Sequence, residues 1–276
     1  MQHDEKILLK KEDIPKYLYH YTSIEAFSQI LKNKTIKFRK LSLMNDPVDG
    51  ISQDYKNSQE LVYCSSWTAT SEESLPMWKL YTELKGLRFR LQYNLFKTND
   101  TYFINKYYKC FKSKLEQKIE ITSINGNNER KIYIEDMFGP YPVSYTKNNS
   151  ERICSTVINM PGSKNFNIDQ MVGDMVKISI VGLKKNLHWQ FEEEWRYRLA
   201  LSELLDEELK SSDKYKNLRF KEDELFLDIR PDAFKDIQIL LGPKATDATY
   251  DIIEILCSKY IPDSKYTILR SEINIR

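Results

Sequence analysis

The segment Phe191–Leu199 constrains the fold more than any other part of the chain, because charged and hydrophobic side chains alternate along it. Successive side chains of a β-strand point to opposite faces. One face would carry the hydrophobic Trp195, Tyr197, Leu199 and Leu201, and the other the charged Glu192, Glu194, Arg196 and Arg198. Four charges on one face are typical of a solvated sheet edge or of the floor of a polar cleft, and the alternation alone leaves both interpretations open.

Length and charge set broad limits on the kind of protein. The chain has 276 residues and a formal net charge of +2. This length fits one large domain or two small ones. The small net charge argues against nucleic-acid binding by the charge of the whole molecule, but it is compatible with a local basic groove. The basic side chains that would build such a groove are Lys37, Arg39, Lys40, Arg88 and Arg90.

Cysteine spacing and hydropathy indicate a cellular compartment. Cys64, Cys110, Cys154 and Cys257 are far apart and show no CxxC spacing, which argues against a zinc site and a disulfide framework. The first residues lack the basic and hydrophobic regions of a signal peptide, and no hydrophobic run reaches the ~18 residues of a membrane span. We therefore expect a cytoplasmic protein with no membrane partner.

Hydrophobic periodicity predicts a single α+β domain over residues 1–276, with an insertion at 97–172. The predicted strands cover 18–21, 61–67, 87–91, 237–241 and 266–275. The predicted helices follow Thr22, follow Pro76, and cover 168–184 and 246–259. Thr22 with Glu25 has the spacing of a capping box, Gly86 is the predicted C-cap of the second helix, and residues 125–128 are predicted to form a turn.

Short polar and aromatic motifs follow one another along the chain in a fixed order. They are Tyr19-His20-Tyr21-Thr22-Ser23, Asn45-Asp46-Pro47, Ser65-Ser66-Trp67, Leu75-Pro76-Met77-Trp78 with Tyr81, Glu194-Trp195-Arg196, and Leu241-Gly242-Pro243-Lys244. This ordered set resembles the bacterial domain-of-unknown-function family 2971 over nearly the whole chain. Pro76 and Asp49 depart from the usual pattern of that family.

The first unit is also similar to the start of ADP-ribosyltransferases, particularly DNA-modifying toxins with a Tyr-His-x-Thr strand that enters a helix. This more distant resemblance implies an ADP-ribosyltransferase-like split β-sheet core with flanking helices and NAD as substrate. In that fold a histidine holds the nicotinamide ribose, an aromatic ring stacks on nicotinamide and a glutamate on a strand orients the ribose. His20, then Tyr63 or Tyr81, then Glu194 match these parts in order.

The resemblance implies a set of site residues and partners. The implied catalytic residues are Glu194, Glu192 and His20, with Glu194 favoured because it matches the EWR motif. The implied NAD-binding residues are His20, Tyr21, Thr22, Ser23, Asn45, Asp46, Tyr63, Ser65, Trp78, Tyr81 and Arg196. The chemistry needs no metal, since a carboxylate can stabilise the positive charge that develops on the ribose. The implied partners are a macromolecular acceptor, nucleic acid or protein, and a regulatory or antitoxin protein, as for a toxin in defence against phage.

The same residues also fit purely structural roles, and the sequence leaves these open. Thr22 and Ser23 fit helix caps, Asn45 and Asp46 fit a turn, and Tyr81 lies on the same helical stripe as Met77. Trp78 lies off that stripe and is expected at the surface or in a cleft. The alternative functions are an NAD hydrolase, a non-catalytic nucleotide- or partner-binding module, and a metal-dependent nuclease. The carboxylates available to the nuclease are Asp46, Asp49, Glu192 and Glu194.

Overall fold

The computed structural model describes residues 13–52, 57–104, 110–148, 153, 181–200 and 218–275. Within these residues the chain forms fourteen β-strands and three α-helices. The strands are β1 (Tyr17–Thr22), β2 (Thr35–Lys40), β3 (Val62–Thr68), β4 (Leu87–Gln92), β5 (Thr98–Ile104), β6 (Cys110–Asn125), β7 (Asn128–Pro142), β8 (Ser144–Thr146), β9 (Lys184–Asn186), β10 (Glu194–Ala200), β11 (Arg219–Phe220), β12 (Glu224–Asp228), β13 (Asp236–Leu241) and β14 (Lys265–Arg270). The helices are α1 (Ile24–Asn33), α2 (Leu75–Thr82) and α3 (Asp247–Tyr260).

Twelve of the strands form one large mixed sheet. Its main order is β11-β6-β7-β10-β3-β1-β4-β13-β14; β2 pairs with β3 and β12, and β5 pairs with β6. The pairs are antiparallel except β13 with β14. β8 and β9 form a separate parallel pair. The fold is therefore of the α+β class, with few helices around a large sheet.

The helices form where the sequence places hydrophobic stripes, but two of their predicted caps are wrong. Ser23, one residue after Thr22, caps α1 by accepting from the backbone N–H of Ala26 at 3.1 Å. Thr22 instead ends β1. Helix α2 ends at Thr82 with Glu83 in the left-handed conformation, so Gly86 is not its C-cap.

The segment 97–172 joins the main sheet in its described part. The predicted turn at 125–128 is confirmed, since β6 ends at Asn125 and β7 begins at Asn128 with Gly126 at φ +62° between them. Strand β7 then pairs with β10. The predicted helix over 168–184 falls mostly on residues 154–180, outside the described residues, and Lys184 begins β9.

Strand β10 runs through the interior of the sheet, between β3 and β7. Tyr197 and Leu199 belong to the main hydrophobic core, as the alternation predicts. The charged face is buried too, with Arg196 0% and Arg198 1% exposed. The solvated-edge interpretation is therefore wrong. Within the described residues, no helix is both long enough and hydrophobic enough to span a membrane.

The sheet is nearly divided between β1 and β3. These strands share one register pair, Tyr19 with Thr68, whereas β1 and β4 share six. Beyond that pair the two strands separate, and the imidazole of His20 fills the gap by hydrogen-bonding the carbonyl oxygen of Ser66 at 2.9 Å. This separation opens the cavity that holds the candidate site.

Candidate functional site

A cavity of about 590 Å³ lies where β1 and β3 separate. Its walls come from β1, α1, β2, β3, α2, the segment before β10, and β12. This volume falls within the roughly 300–1,000 Å³ that is usual for small-molecule sites. The three residues expected to be catalytic, His20, Glu192 and Glu194, all line it.

Glu192 and Glu194 form a carboxylate pair joined by a lysine. Glu192 ends a 3-10 segment over Leu187–Glu192, and Glu193 follows in the left-handed conformation at φ +41°. The Nζ atom of Lys185 donates to Glu192 Oε2 at 2.5 Å and to Glu194 Oε2 at 3.2 Å. Both carboxylates and the ammonium group are at most 4% exposed. The ammonium group also lies 4.8 Å from the ring centre of Trp189.

Arg196 supports the pair from the side away from the cavity. Its Nε donates to Glu194 Oε1 at 2.6 Å, and its terminal nitrogens donate to Glu194 Oε2, to Asp49 Oδ2 and to the carbonyl oxygen of Gly182. The guanidinium therefore fixes the orientation of Glu194 through two bonds. Asp49 Oδ1, in contrast, is buried without a hydrogen-bond partner among the described residues.

The two carboxylates are driven to different acidities. Burial alone would raise the pKa of Glu194, but the charges of Arg196 and Lys185 outweigh it and lower that pKa to about 2. Burial and the neighbouring charge of Glu194 raise the pKa of Glu192 above its usual value of 4.5. Glu194 is thus the fixed anion of the pair, and Glu192 is the member with the higher pKa.

His20 is held as a neutral imidazole. Burial lowers its pKa from 6.5 to about 4. The bond to the Ser66 carbonyl requires Nδ1 to donate, which makes Nε2 the acceptor in the neutral ring. The rings of Trp67 and Phe89 pack beside it, with centroids 4.9 and 5.4 Å away.

Tyr81 connects helix α2 to the carboxylate pair. Its hydroxyl donates to Glu192 Oε1 and accepts from the side-chain amide of Asn45 at 3.4 Å. Burial and the charge of Glu192 raise the pKa of the Tyr81 hydroxyl far above its usual value, so it remains a donor. The side chain lines the cavity, unlike a tyrosine that only packs in the core.

The structure places six of the eleven expected NAD-binding residues in the cavity wall. His20, Tyr21, Thr22, Asn45, Ser65 and Tyr81 line it. Their role in binding NAD stays a prediction. The Tyr21 hydroxyl accepts from the backbone N–H of Ser74 at 3.2 Å, and the Ser65 hydroxyl accepts from the indole N–H of Trp67 at 3.0 Å.

The remaining expected binding residues lie outside the lining. Ser23 caps α1, and Asp46 accepts from the backbone N–H of Val48 within its own loop. Tyr63 is fully buried and donates to the carbonyl oxygen of Glu222 at 2.7 Å. The expectation for Trp78 is wrong, because it is fully buried. Its indole N–H donates to Glu73 at 2.8 Å.

Arg196, the fifth of these residues, contacts Glu194 and Asp49 instead of facing the cavity as a pyrophosphate-binding arginine would. Its 0% exposure comes from the polar groups that surround it. Arg196 therefore positions the carboxylate pair.

The five basic residues of the expected groove do not share one surface. Lys37 and Arg39 line the cavity. Lys40 is buried and donates to Asp223 and to the carbonyl oxygen of Phe220. Arg88 and Arg90 lie over the rings of Tyr19 and Tyr17 on β1.

Sequence reasoning missed Lys185 and Phe226. Lys185 follows Lys184 in a short polar stretch that is typical of a solvated loop, so nothing local marked it as buried. Phe226 belongs to a strand that the sequence analysis did not predict. Two adjacent carboxylates that turn inwards need a buried cation, and that requirement was the one available signal for Lys185.

Metal ligation is not suggested by the described part of the chain. It contains no group of three or more histidine, cysteine, aspartate or glutamate side chains arranged to hold a metal ion.

A scan against protein-family models, a search of curated proteins and a search of solved structures each give no match for this chain.

Proposed function

We propose that this chain is an NAD-consuming enzyme with an ADP-ribosyltransferase-like fold, acting on a macromolecule. One observation carries the proposal. The cavity brings a neutral histidine from the first strand, His20, together with two buried glutamates, Glu192 just before β10 and Glu194 at its start. The motif resemblance expects these parts in this order, and the separation of β1 from β3 agrees with a split-sheet core.

The geometry suits cleavage of the bond between ribose and nicotinamide. Nicotinamide leaves with the bonding electron pair, so positive charge develops on the ribose, and an ionised carboxylate nearby stabilises it. Glu194 fits this role because its lowered pKa keeps it ionised at neutral pH. His20 Nε2 fits as an acceptor for a ribose hydroxyl.

Glu192 fits the removal of a proton from the acceptor. A general base works best with a pKa near the working pH, and the pKa of Glu192 is raised towards that range. Tyr81 and Lys185 hold its two oxygens and so orient it. The new bond then forms between the acceptor and the ribose carbon that nicotinamide leaves.

The test uses labelled NAD, purified protein and a cell lysate, with release of nicotinamide and label in protein, DNA and RNA as readouts. Wild-type protein is expected to release nicotinamide and transfer label. Glu194→Gln should lower the rate by at least about 100-fold. Glu193→Gln is the matched control, because Glu193 is the exposed neighbour of both glutamates and bonds Thr70. Equal rates for the two variants would contradict the role of Glu194.

A non-catalytic nucleotide-binding module is the second candidate. The observation that favours it is the full engagement of both carboxylates, since Arg196 and Lys185 occupy both oxygens of Glu194 and Tyr81 and Lys185 those of Glu192. Tight NAD binding without nicotinamide release would support this candidate. Nicotinamide release without label transfer would indicate an NAD hydrolase.

A further inference from the structure

The wall formed by β2 and β12 carries a pattern that the carboxylate chemistry does not use. Alternate residues of the two paired strands face outwards, and Phe226 lies directly opposite Lys37 in the register. Arg39 lies two residues further along the same face, opposite Glu224. Lys37, Arg39 and Phe226 all line the cavity.

Phe226 is 53% exposed although it lines a cavity. A single exposed phenylalanine is common on protein surfaces. This one, however, lies beside two cationic side chains, and an accessible aromatic face next to positive charge is the arrangement that binds a base with its attached phosphates.

The charges of the two cationic side chains are available to a ligand. Arg39 makes no ion pair with any described residue. Lys37 pairs with Glu224 at 2.9 Å, but both side chains are more than one third exposed, so this pair is worth little and gives way to a stronger anion.

The cavity lining therefore holds two groups of charges. Glu192 and Glu194 with Lys185 between them carry one more carboxylate than ammonium group, and Lys37 and Arg39 on β2 carry positive charge alone. A ligand that carries phosphates at one end and develops positive charge at the other would match both groups.

We infer that the β2–β12 face is a subsite for a nucleoside diphosphate, with the base against Phe226 and the phosphates at Lys37 and Arg39. The inference rests on the proposed function only in taking this diphosphate to be the ADP half of NAD. It assigns the adenine end of the substrate to a strand that no motif marked, and it leaves the nicotinamide end at the carboxylate pair.

Calorimetric titration of the full chain with ADP, adenosine and inorganic pyrophosphate tests the subsite without any turnover. Phe226→Leu removes the ring but keeps an apolar side chain. It should weaken the binding of ADP and of adenosine about tenfold and leave the binding of pyrophosphate unchanged. Arg39→Gln should weaken the binding of ADP and of pyrophosphate about tenfold and leave the binding of adenosine unchanged. The controls are Ile255→Ala and Lys259→Gln on the exposed face of α3. Both should leave the affinities for ADP, adenosine and pyrophosphate unchanged.

The outcomes separate this subsite from the proposed enzyme. ADP affinity that is unchanged in both variants, or absent in wild-type protein, overturns the subsite even if NAD is consumed. ADP binding that depends on Phe226 and Arg39 supports the subsite even if wild-type protein releases no nicotinamide, in which case the proposed enzyme fails and the subsite stands.

Discussion

At the scale of single residues, the site depends on two buried cations that hold three buried carboxylates. Lys185 and Arg196 together contact Glu192, Glu194 and Asp49. Charges taken out of water are tolerated only when they are paired and hydrogen-bonded. Both cations are therefore needed to keep the carboxylates ionised in the cavity wall.

The acidity of Glu194 makes a prediction about stability and pH. Its folded-state pKa of about 2 lies below its usual 4.5, so its ionised form stabilises the fold above the usual value, and that contribution is lost as the pH falls through about 2. The difference in unfolding free energy between wild type and Glu194→Gln should therefore shrink by about 3 kcal/mol between roughly pH 5 and pH 2. Denaturant unfolding at a series of pH values measures it.

A difference for Glu194→Gln that stays constant over this pH range would show that Arg196 and Lys185 do not stabilise the ionised carboxylate.

The types and order of residues in the sequence identified part of this site. The other part consists of buried partners that only the structure shows. The motifs marked His20, Glu192 and Glu194, which the structure brings into one cavity. The alternation along β10 showed that Arg196 shares a face with Glu194, but it could not show what covers that face. The cover comes from Asp49 and from the segment that contains Lys185, residues distant in sequence, so only the tertiary structure reveals it.

At the scale of elements, two glycines allow the backbone segments beside the cavity to pack closely: Gly86 just before β4 and Gly242 just after β13. A side chain on Gly86 would lie 2.3 Å from the Thr22 carbonyl oxygen, and one on Gly242 would lie 2.5 Å from that of Leu84. The N–H of Gly242 donates to the carbonyl oxygen of Gly86 at 2.9 Å. Gly86 thus allows close packing of the backbone beside the cavity residue Thr22.

Gly86→Ala is therefore expected to destabilise the fold by about 2–3 kcal/mol, because backbone atoms must move to admit the methyl group. Gly126→Asn is the comparison, since Gly126 has open space around it and asparagine accepts its positive φ. It should cost less than about 1 kcal/mol. Chemical denaturation of both variants measures the difference, and equal costs would contradict close packing at Gly86.

Most elements were predictable because each has a local signal. The predicted helix over 246–259 and the predicted strands near β1, β3, β4 and β13 are confirmed within a few residues. Strand β12 was missed, because Glu224–Asp228 is short and its pattern is set by pairing with β2. The predicted N-cap of α1 was wrong by one residue. Thr22 and Ser23 are both suitable caps, but Thr22 is the last residue of β1, so Ser23 caps the helix.

At the scale of the whole molecule, the large sheet has interior strands that are paired along both edges and an end strand, β14, that is paired along one edge in the described residues. Among the described strands, β3 and β10 have neighbours on both sides, while β14 pairs with β13 alone. Amide hydrogens of β10 should therefore exchange with solvent at least about tenfold more slowly than the outward amides of β14, because edge groups open without disrupting the core. Hydrogen exchange followed by mass spectrometry measures this, and equally slow exchange in β14 would indicate that another surface covers that edge.

The narrow junction between β1 and β3 has a mechanical consequence. Separating β3 from β10 would break seven register pairs, whereas β1 and β3 are joined by Tyr19 with Thr68 and by the side chain of His20. Few backbone hydrogen bonds therefore join β1 to β3, and side chains hold the rest of the junction. We expect a substitution of the rings packed beside His20 to change the width of the cavity more than the pairing of the other strands.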